Sequence, residues 1–137
     1  MSAPNHVALR AFIADHATAL QAGDVDAVAE AMGLPQMIAH GAGTTFIEDD
    51  GQLVQWIDER LARWAAHDVT GVAATVETIE DLPDDAARVT SRWRLSDARG
   101  AEVTSFVAVD TLACDEGEWY FVVTDTAGED AAWDGTH

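Results

Sequence analysis

The chain has 137 residues, 48% of them hydrophobic, which suits a single domain with one packed core. Seven arginines, no lysine and 25 acidic residues give a formal net charge of −18. Nucleic acid is therefore excluded as an expected partner and an anionic membrane surface is disfavoured, because both bind basic faces. No apolar run is long enough to span a membrane, no secretion signal is recognised, and the lone Cys114 excludes an intrachain disulfide, so a cytoplasmic protein is predicted.

Helical spacing of apolar residues predicts three helices in the first half of the chain, at about 4–22, 25–32 and 51–66. Gly23 is suited to end the first helix, and Asp24 to cap the second. Pro35 stops the second helix, because it disfavours helical backbone at the residue before it. Two short strands are predicted between the second and third helices, at 36–40 and 44–48.

After His67 the pattern changes to the alternation that is typical of strands. Four segments rich in β-branched and aromatic residues follow: "TGVAATVETIEDL", "ARVTSRWRLSD", "AEVTSFVAVDTLAC" and "EWYFVVTDT". The sequence therefore predicts an α+β fold in which three N-terminal helices cover one face of an antiparallel sheet. Residues 1–137 are predicted to form one domain, with 127–137 as a loose tail.

Alternation along the strands separates the two faces of this sheet. The inner face, assigned to the helices, carries the large aromatic side chains: Ser91, Trp93, Leu95, Thr104, Phe106, Ala108, Asp110, Leu112, Trp119, Phe121 and Val123. The outer face is an aliphatic strip bordered by arginines: Arg92, Arg94, Val103, Val107, Val109, Tyr120 and Val122. An exposed apolar strip of this kind is usually covered by another protein surface, so we expect a homodimer through the outer sheet face.

Two polar residues fall on apolar faces. His16 lies on the apolar side of the first helix, either as a core histidine with one hydrogen bond or as a group at the bottom of a pocket. Asp110 lies within "FVAVDTLAC", on the inner face unless the register is shifted by one residue. The free-energy cost of burying an ionised and unpaired carboxylate is prohibitive. An Asp110 on the inner face must therefore be protonated, paired or beside a water-filled cavity.

Several segments together resemble the nuclear transport factor 2-like superfamily in its SnoaL-like branch. They are "ALQAGDVDAVAEAM" after an amphipathic helix, then "IAHG", a third helix, "RVTSRWRL", "FVAVDTL" and "GEWYFV", and the resemblance spans about residues 6–126. It implies a cystatin-like fold, in which a strongly curved antiparallel sheet wraps around three helices and encloses a conical pocket.

Within that superfamily, the first part of the chain is similar to enzymes of the ketosteroid isomerase type. The resemblance puts His16 at their hydrogen-bonding tyrosine, His40 at their general-base aspartate, and Asp110 at the carboxylic acid of their oxyanion hole. It implies three catalytic residues, with His40 as base, His16 as a donor to an oxyanion, and Asp110 orienting a ring or staying protonated. Only Asp110 keeps the residue type of those enzymes, so steroid isomerisation itself is not supported.

Two classes of function stay open. One is a proton-transfer, cyclase, isomerase or hydration enzyme acting on a small apolar carbonyl compound, with Trp56, Trp93 and Phe106 as ligand-binding walls. The alternative is a non-catalytic ligand-binding or dimerisation module. Two histidines and one carboxylate could also form a metal site, but no His-x-x-x-His spacing supports it, so neither a metal nor a cofactor is predicted.

Overall fold

The computed structural model describes residues 6–134. Its helices are α1 (His6–Ala22), α2 (Val25–Glu30), α3 (Asp50–Ala66) and α4 (Ala127–Asp134). Its strands are β1 (Met32–His40), β2 (Gly43–Ile47), β3 (Gly71–Leu82), β4 (Ala86–Ser96), β5 (Glu102–Asp115) and β6 (Glu118–Asp125). No helix of this part of the chain is long and apolar enough to cross a membrane. Positions 4 and 5 of the predicted first helix and positions 135–137 of the predicted tail lie outside the described residues.

Aspartates begin the second and third helices. The Asp24 carboxylate accepts a hydrogen bond from the Ala27 N–H at 3.2 Å. The Asp49 carboxylate accepts one from the Gln52 N–H at 2.8 Å. Both satisfy N–H groups that have no partner within the helix. The predicted cap at Asp24 is confirmed, whereas α2 is shorter than predicted because β1 already begins at Met32.

The six strands form one curved, unclosed sheet in the order β2-β1-β6-β5-β4-β3. Neighbouring strands are antiparallel except β1 and β6, which run parallel and pair Ile38 with Thr124. The α+β class is confirmed, but the prediction of a purely antiparallel sheet is wrong. The reason is that β6, the last strand of the β3–β6 meander, returns beside the earlier β1–β2 hairpin.

The predicted register of β4 and β5 is confirmed. Trp93 pairs with Phe106, and Val89 pairs with Asp110. In both strands the inner-face residues are buried, while the alternate residues are partly or fully exposed. Asp110 is therefore on the inner face, where it is 3% exposed.

A bulge changes the alternation in β6. Trp119 and Phe121 lie inside as predicted, but the pairing with β5 shifts after Phe121. Because the extra residue reverses the alternation, Thr124 is buried and Val123 is not. The Thr124 hydroxyl donates to the buried amide oxygen of Gln36 at 3.0 Å. The prediction that Val123 lies on the inner face is therefore wrong.

The apolar sides of α1 and α3 join the inner face in a single core. Phe12 of α1 packs against Phe121 of β6 with ring centroids 5.5 Å apart. Leu53 and Ile57 of α3 are each 1% exposed. The apolar stripes at helical spacing thus supply the surface that the helices bury against the sheet.

The segment predicted as a loose tail is, over 127–134, the helix α4. Two of its side chains are buried, Glu129 and Trp133. Its backbone lies so close to β5 that a Cβ on Gly128 would clash with the carbonyl oxygen of Val107. The chain therefore has a fourth helix, anchored by a buried polar group that helical periodicity does not reveal.

The outer face carries the predicted aliphatic strip. Val109 is 40% exposed there. Arg92 and Arg94 border the strip and pair with Glu77 and Glu102, each at 3.5 Å. That a second copy covers this face stays a prediction.

Candidate functional site

A cavity of about 230 Å³ opens between α3, α4 and the end of β1. We call it the mouth cavity; its charged lining residues are Glu59, Arg60, Arg63, Glu129 and Asp130, and its other lining residues include His40 and Trp56. Two arginines against three carboxylates leave this lining with a net charge of −1 when His40 is neutral. The cavity is therefore better suited to a neutral guest than to an anion.

Arg60 lies between two indole rings of its own helix. Its guanidinium carbon is 5.5 Å from the ring centroid of Trp56 and 4.8 Å from that of Trp64. Residues four apart share a helix face, so both indoles can make cation–π contacts with one arginine. The Arg60 side chain is 11% exposed, against 53% for Arg63. Arg60 thus belongs to the inner side of the mouth cavity and Arg63 to its rim.

Glu129 of α4 binds Arg60 through buried hydrogen bonds. Arg60 donates to Oε1 from Nε at 3.1 Å and from Nη2 at 2.7 Å. The indole N–H groups of Trp64 and Trp133 donate to Oε2 at 2.7 and 3.3 Å. Burial by itself would raise the pKa of Glu129, but the charge of Arg60 and these hydrogen bonds lower it overall. Glu129 is therefore ionised and holds α4 against α3.

One nitrogen of the Arg60 guanidinium has no hydrogen-bond partner among the described residues. Nη1 of Arg60 makes no hydrogen bond within residues 6–134, since both bonds to Glu129 use the other two nitrogens. A guanidinium has five N–H donors, so Nη1 offers two to a guest. These donors lie next to the indole of Trp56, which is a flat apolar surface in the same cavity.

Both ring nitrogens of His40 are engaged. Nδ1 accepts a hydrogen bond from the Ala42 N–H at 3.2 Å, so the proton of the neutral ring is on Nε2. Nε2 then donates to the Thr45 hydroxyl at 2.9 Å. Its predicted use as a general base would require Nδ1 to leave Ala42 first.

The other predicted site residues lie on the concave side of the sheet. We call this group the inner wall; its members are His16, Ser91, Trp93, Phe106 and Asp110, all buried. The edge of the His16 ring meets Trp93 at 6.4 Å between centroids, and Trp93 stacks on Phe106 at 6.4 Å.

Three polar atoms of the inner wall have no partner. His16 Nδ1, Ser91 Oγ and Trp93 Nε1 are enclosed and form no hydrogen bond within the part of the chain that the structure describes. A buried donor or acceptor left unpaired costs about 1–3 kcal/mol, and most buried polar groups are paired. Three unpaired polar atoms in the inner wall therefore reduce the stability of the fold.

Burial shifts both titratable groups of the inner wall towards their neutral forms. It raises the pKa of Asp110 to about 7, against the opposing effects of a hydrogen bond from the Asp125 N–H and the charge of Arg60. Burial and the charge of Arg60 together lower the pKa of His16 to about 3. Near neutral pH, His16 is uncharged and Asp110 is close to the midpoint of its titration.

The structure divides the six predicted site residues into two groups. His40 and Trp56 line the mouth cavity, whereas His16, Trp93, Phe106 and Asp110 lie in the inner wall. The mouth cavity is lined by His40 but by neither His16 nor Asp110, so the structure does not bring the three predicted catalytic residues together in this cavity. His16 lines a different cleft, between α1 and α2. The catalytic and ligand-binding roles of the six residues stay predictions.

A family model described as NTF2-like protein (DUF6841) matches residues 7–129. The chain belongs to this NTF2-like family. The resemblance to the nuclear transport factor 2-like superfamily is thereby confirmed, while the ketosteroid-isomerase pocket positions stay predictions. No curated protein sequence matches the chain significantly.

Solved structures similar to this NTF2-like protein share its fold. Aln2 from a Streptomyces species has 14% identity and a TM-score of 0.70, covering 95% of this chain and 96% of its own. A protein of unknown function with a cystatin-like fold from Nostoc punctiforme has 16% identity and a TM-score of 0.70, covering 91% and 92%. ActVI-ORFA from Streptomyces coelicolor has 11% identity and a TM-score of 0.67, covering 88% and 94%. Identities this low establish the α+β, cystatin-like fold alone.

Sequence reasoning on this NTF2-like protein missed Arg60 and Glu129. A signal for Arg60 exists, because "WIDERLARW" places Trp56, Arg60 and Trp64 at a spacing of four residues. For Glu129, the "TAGE" segment has the threonine-x-x-glutamate spacing that is typical of a helix start. That signal predicts α4, but not the pairing of its glutamate with α3.

The NTF2-like chain shows no cluster of metal ligands. Within residues 6–134, no group of three or more histidine, cysteine or acidic side chains is arranged to hold a metal ion. Two of the mouth-cavity carboxylates, Glu129 and Asp130, are bonded to Arg60 and Arg63 instead.

Proposed function

We propose that this NTF2-like protein binds a small, neutral, planar carbonyl compound in the mouth cavity. The observation that carries the proposal is the unpaired Nη1 of Arg60 beside the indole of Trp56. A planar guest stacks on Trp56, and its carbonyl oxygen accepts a hydrogen bond from Nη1. Pairing with Glu129 fixes the guanidinium before the guest arrives, which lowers the entropy lost on binding.

Charge favours a neutral carbonyl over a carboxylate. The charged lining of the mouth cavity sums to −1, and the whole chain carries −18. An anion is repelled by both the lining and the whole molecule. A ketone or aldehyde offers the same acceptor oxygen without that repulsion.

The proposal is tested by isothermal titration calorimetry with acetophenone, and with benzoate as its anionic counterpart. We expect acetophenone to bind more tightly than benzoate, and Trp56→Ala to weaken acetophenone roughly tenfold by removing the stacking surface. Phe46→Ala is the matched control, since Phe46 is an exposed aromatic residue of β2 outside the cavity lining. Equal affinity of the wild type and Trp56→Ala, or tighter binding of benzoate, would contradict the proposal.

Catalysis by proton transfer is the second candidate, and Asp110 is the observation that favours it. A carboxyl group with a pKa of about 7 can exchange protons near neutral pH. For this chemistry the ketone would have to reach the inner wall, where the Asp110 carboxylate takes an α-proton and the electron pair of the C–H bond moves into an enolate whose oxygen needs a donor. Asp110 exchanges that proton with solvent and returns a proton to the carbon.

Hydrogen exchange separates the enzyme from the binding module. In D₂O, an enzyme of this kind would replace the methyl protons of acetophenone with deuterium faster than buffer does, and Asp110→Asn would abolish the acceleration. Binding that depends on Trp56, without accelerated exchange, would establish the non-catalytic alternative.

A further inference from the structure

A second cleft, of about 240 Å³, lies between α1 and α2. We call it the side cleft. Its walls are Phe12 and three alanines, its exposed rim carries Asp15 and Glu30, and its one fully buried lining residue is His16. The lining therefore combines apolar walls with a buried histidine at the inner end and two carboxylates at the entrance, one of them on the residue next to His16 in α1.

The inner end has an unused hydrogen-bonding group. His16 is 5% exposed, and its Nδ1 is fully enclosed, so Nε2 is the ring nitrogen that a guest in the side cleft can reach. Neither ring nitrogen forms a hydrogen bond within residues 6–134. Burial lowers the pKa of His16 to about 3, so the ring is neutral and one of its nitrogens carries a lone pair that can accept a proton donor.

The entrance has unused negative charge. Asp15 and Glu30 are both exposed, and neither forms an ion pair or a side-chain hydrogen bond with any described residue. Asp15 and Glu30 differ in this respect from Glu129 and Asp130, whose carboxylates are paired with arginines. A guest at this entrance therefore meets two uncompensated negative charges.

We propose that the side cleft binds a small primary amine with an apolar body. The ammonium group supplies several N–H donors, which the carboxylates of Asp15 and Glu30 and the ring of His16 can accept. The apolar body lies against Phe12 and the alanines, and the ring of Phe12 can add a cation–π contact. An anion is repelled at the rim, and a neutral alcohol leaves both carboxylates without a cation.

The test is calorimetric titration of the full chain with benzylamine, and with benzyl alcohol as its uncharged isostere. We expect benzylamine to bind and benzyl alcohol to bind at least several-fold more weakly. The double variant Asp15→Asn/Glu30→Gln should weaken benzylamine by roughly tenfold, because two charge-assisted contacts are lost.

The matched control is the double variant Asp26→Asn/Asp58→Asn, which removes two exposed carboxylates of α2 and α3 outside the side cleft. It should leave the affinity for benzylamine unchanged within about twofold. Equal weakening in both double variants would overturn the proposal, since it would reduce binding to the general attraction of an acidic protein for cations. Absence of benzylamine binding to the wild type would overturn it as well.

Two single variants locate the amine further. His16→Leu should abolish benzylamine binding while keeping a side chain of similar size in the core. Unchanged affinity in His16→Leu would contradict the assigned inner end. Trp56→Ala should leave benzylamine binding intact, because Trp56 does not line the side cleft. The proposals for the side cleft and for the mouth cavity are therefore tested independently.

Discussion

In the mouth cavity, the buried Glu129 carboxylate has two hydrogen bonds on each of its oxygens, whereas in the inner wall three enclosed polar atoms have none. Both regions belong to the same core, and the charge of Arg60 acts on both. The paired region stabilises the attachment of α4 to α3. The unpaired region reduces stability, because its enclosed donors and acceptors have lost their hydrogen bonds to water. Buried polar groups in this fold therefore divide into those that stabilise the structure and those that reduce its stability.

The largest expected effect is on the paired region. Glu129→Ala leaves the Arg60 guanidinium in a buried site without its anion, which should lower the free energy of unfolding by about 3–5 kcal/mol in urea titrations. Asp130→Ala is the control, because its arginine partner, Arg63, is 53% exposed. It should cost no more than about 1 kcal/mol. Equal losses in the two variants would contradict a special role for Glu129.

A second prediction concerns pH and the inner wall. Asp110 has a pKa of about 7 when folded and an ordinary value of 3.8, so its contribution to the free energy of unfolding falls as pH rises between these values. His16 has a pKa of about 3 against 6.5, so its contribution rises over that range. From about pH 4 to 6.5 the two contributions oppose each other, and the wild type should vary little on their account.

Single substitutions should separate the contributions of Asp110 and His16 to the pH dependence of the free energy of unfolding. Relative to the wild type, Asp110→Asn should gain stability with rising pH, and His16→Leu should lose it, each by up to about 1.4 kcal/mol per pH unit. Urea unfolding of the three proteins at about pH 4.5, 5.5 and 6.5 measures this. Parallel curves for all three would show that neither group is shifted by burial.

The smallest expected effect tests the unpaired atoms directly. Ser91→Ala removes an enclosed hydroxyl without a partner and should leave stability unchanged or raise it by about 1 kcal/mol. Thr124→Val removes a hydroxyl of similar burial that donates to Gln36, and should lower stability by about 1 kcal/mol. Thermal unfolding compares the two. A loss in Ser91→Ala as large as that in Thr124→Val would mean that Ser91 has a partner after all.

Patterns of apolar side chains predicted the sheet faces well, because alternation is a local property that the register of one hairpin extends to its neighbours. Asp110 and Trp93 were placed correctly for that reason. The same reasoning failed at Val123, since one inserted residue reverses the alternation and leaves no mark in the residue types. The parallel pairing of β1 with β6 joins segments far apart in sequence, which no local pattern encodes.

The candidate site was harder to predict than the fold. His16, His40 and Asp110 were each recognised as unusual, but whether they share a cavity depends on the side chains packed around them. The mouth cavity beside His40 is lined by Arg60, whose position is set by Glu129 on a helix that ends the described chain. The pairing of Arg60 with Glu129 joins residues far apart in sequence, so it could not be predicted without knowing that α4 packs on α3.

The most direct test of the mouth cavity is a ¹H–¹⁵N NMR titration of the five tryptophan indole signals with acetophenone. Trp56 lines the mouth cavity and Trp93 lies in the inner wall, so the two signals report on the two regions separately. We expect the largest shift at the Trp56 indole and little change at Trp93. A largest shift at Trp93, or no shift at any indole, would contradict it.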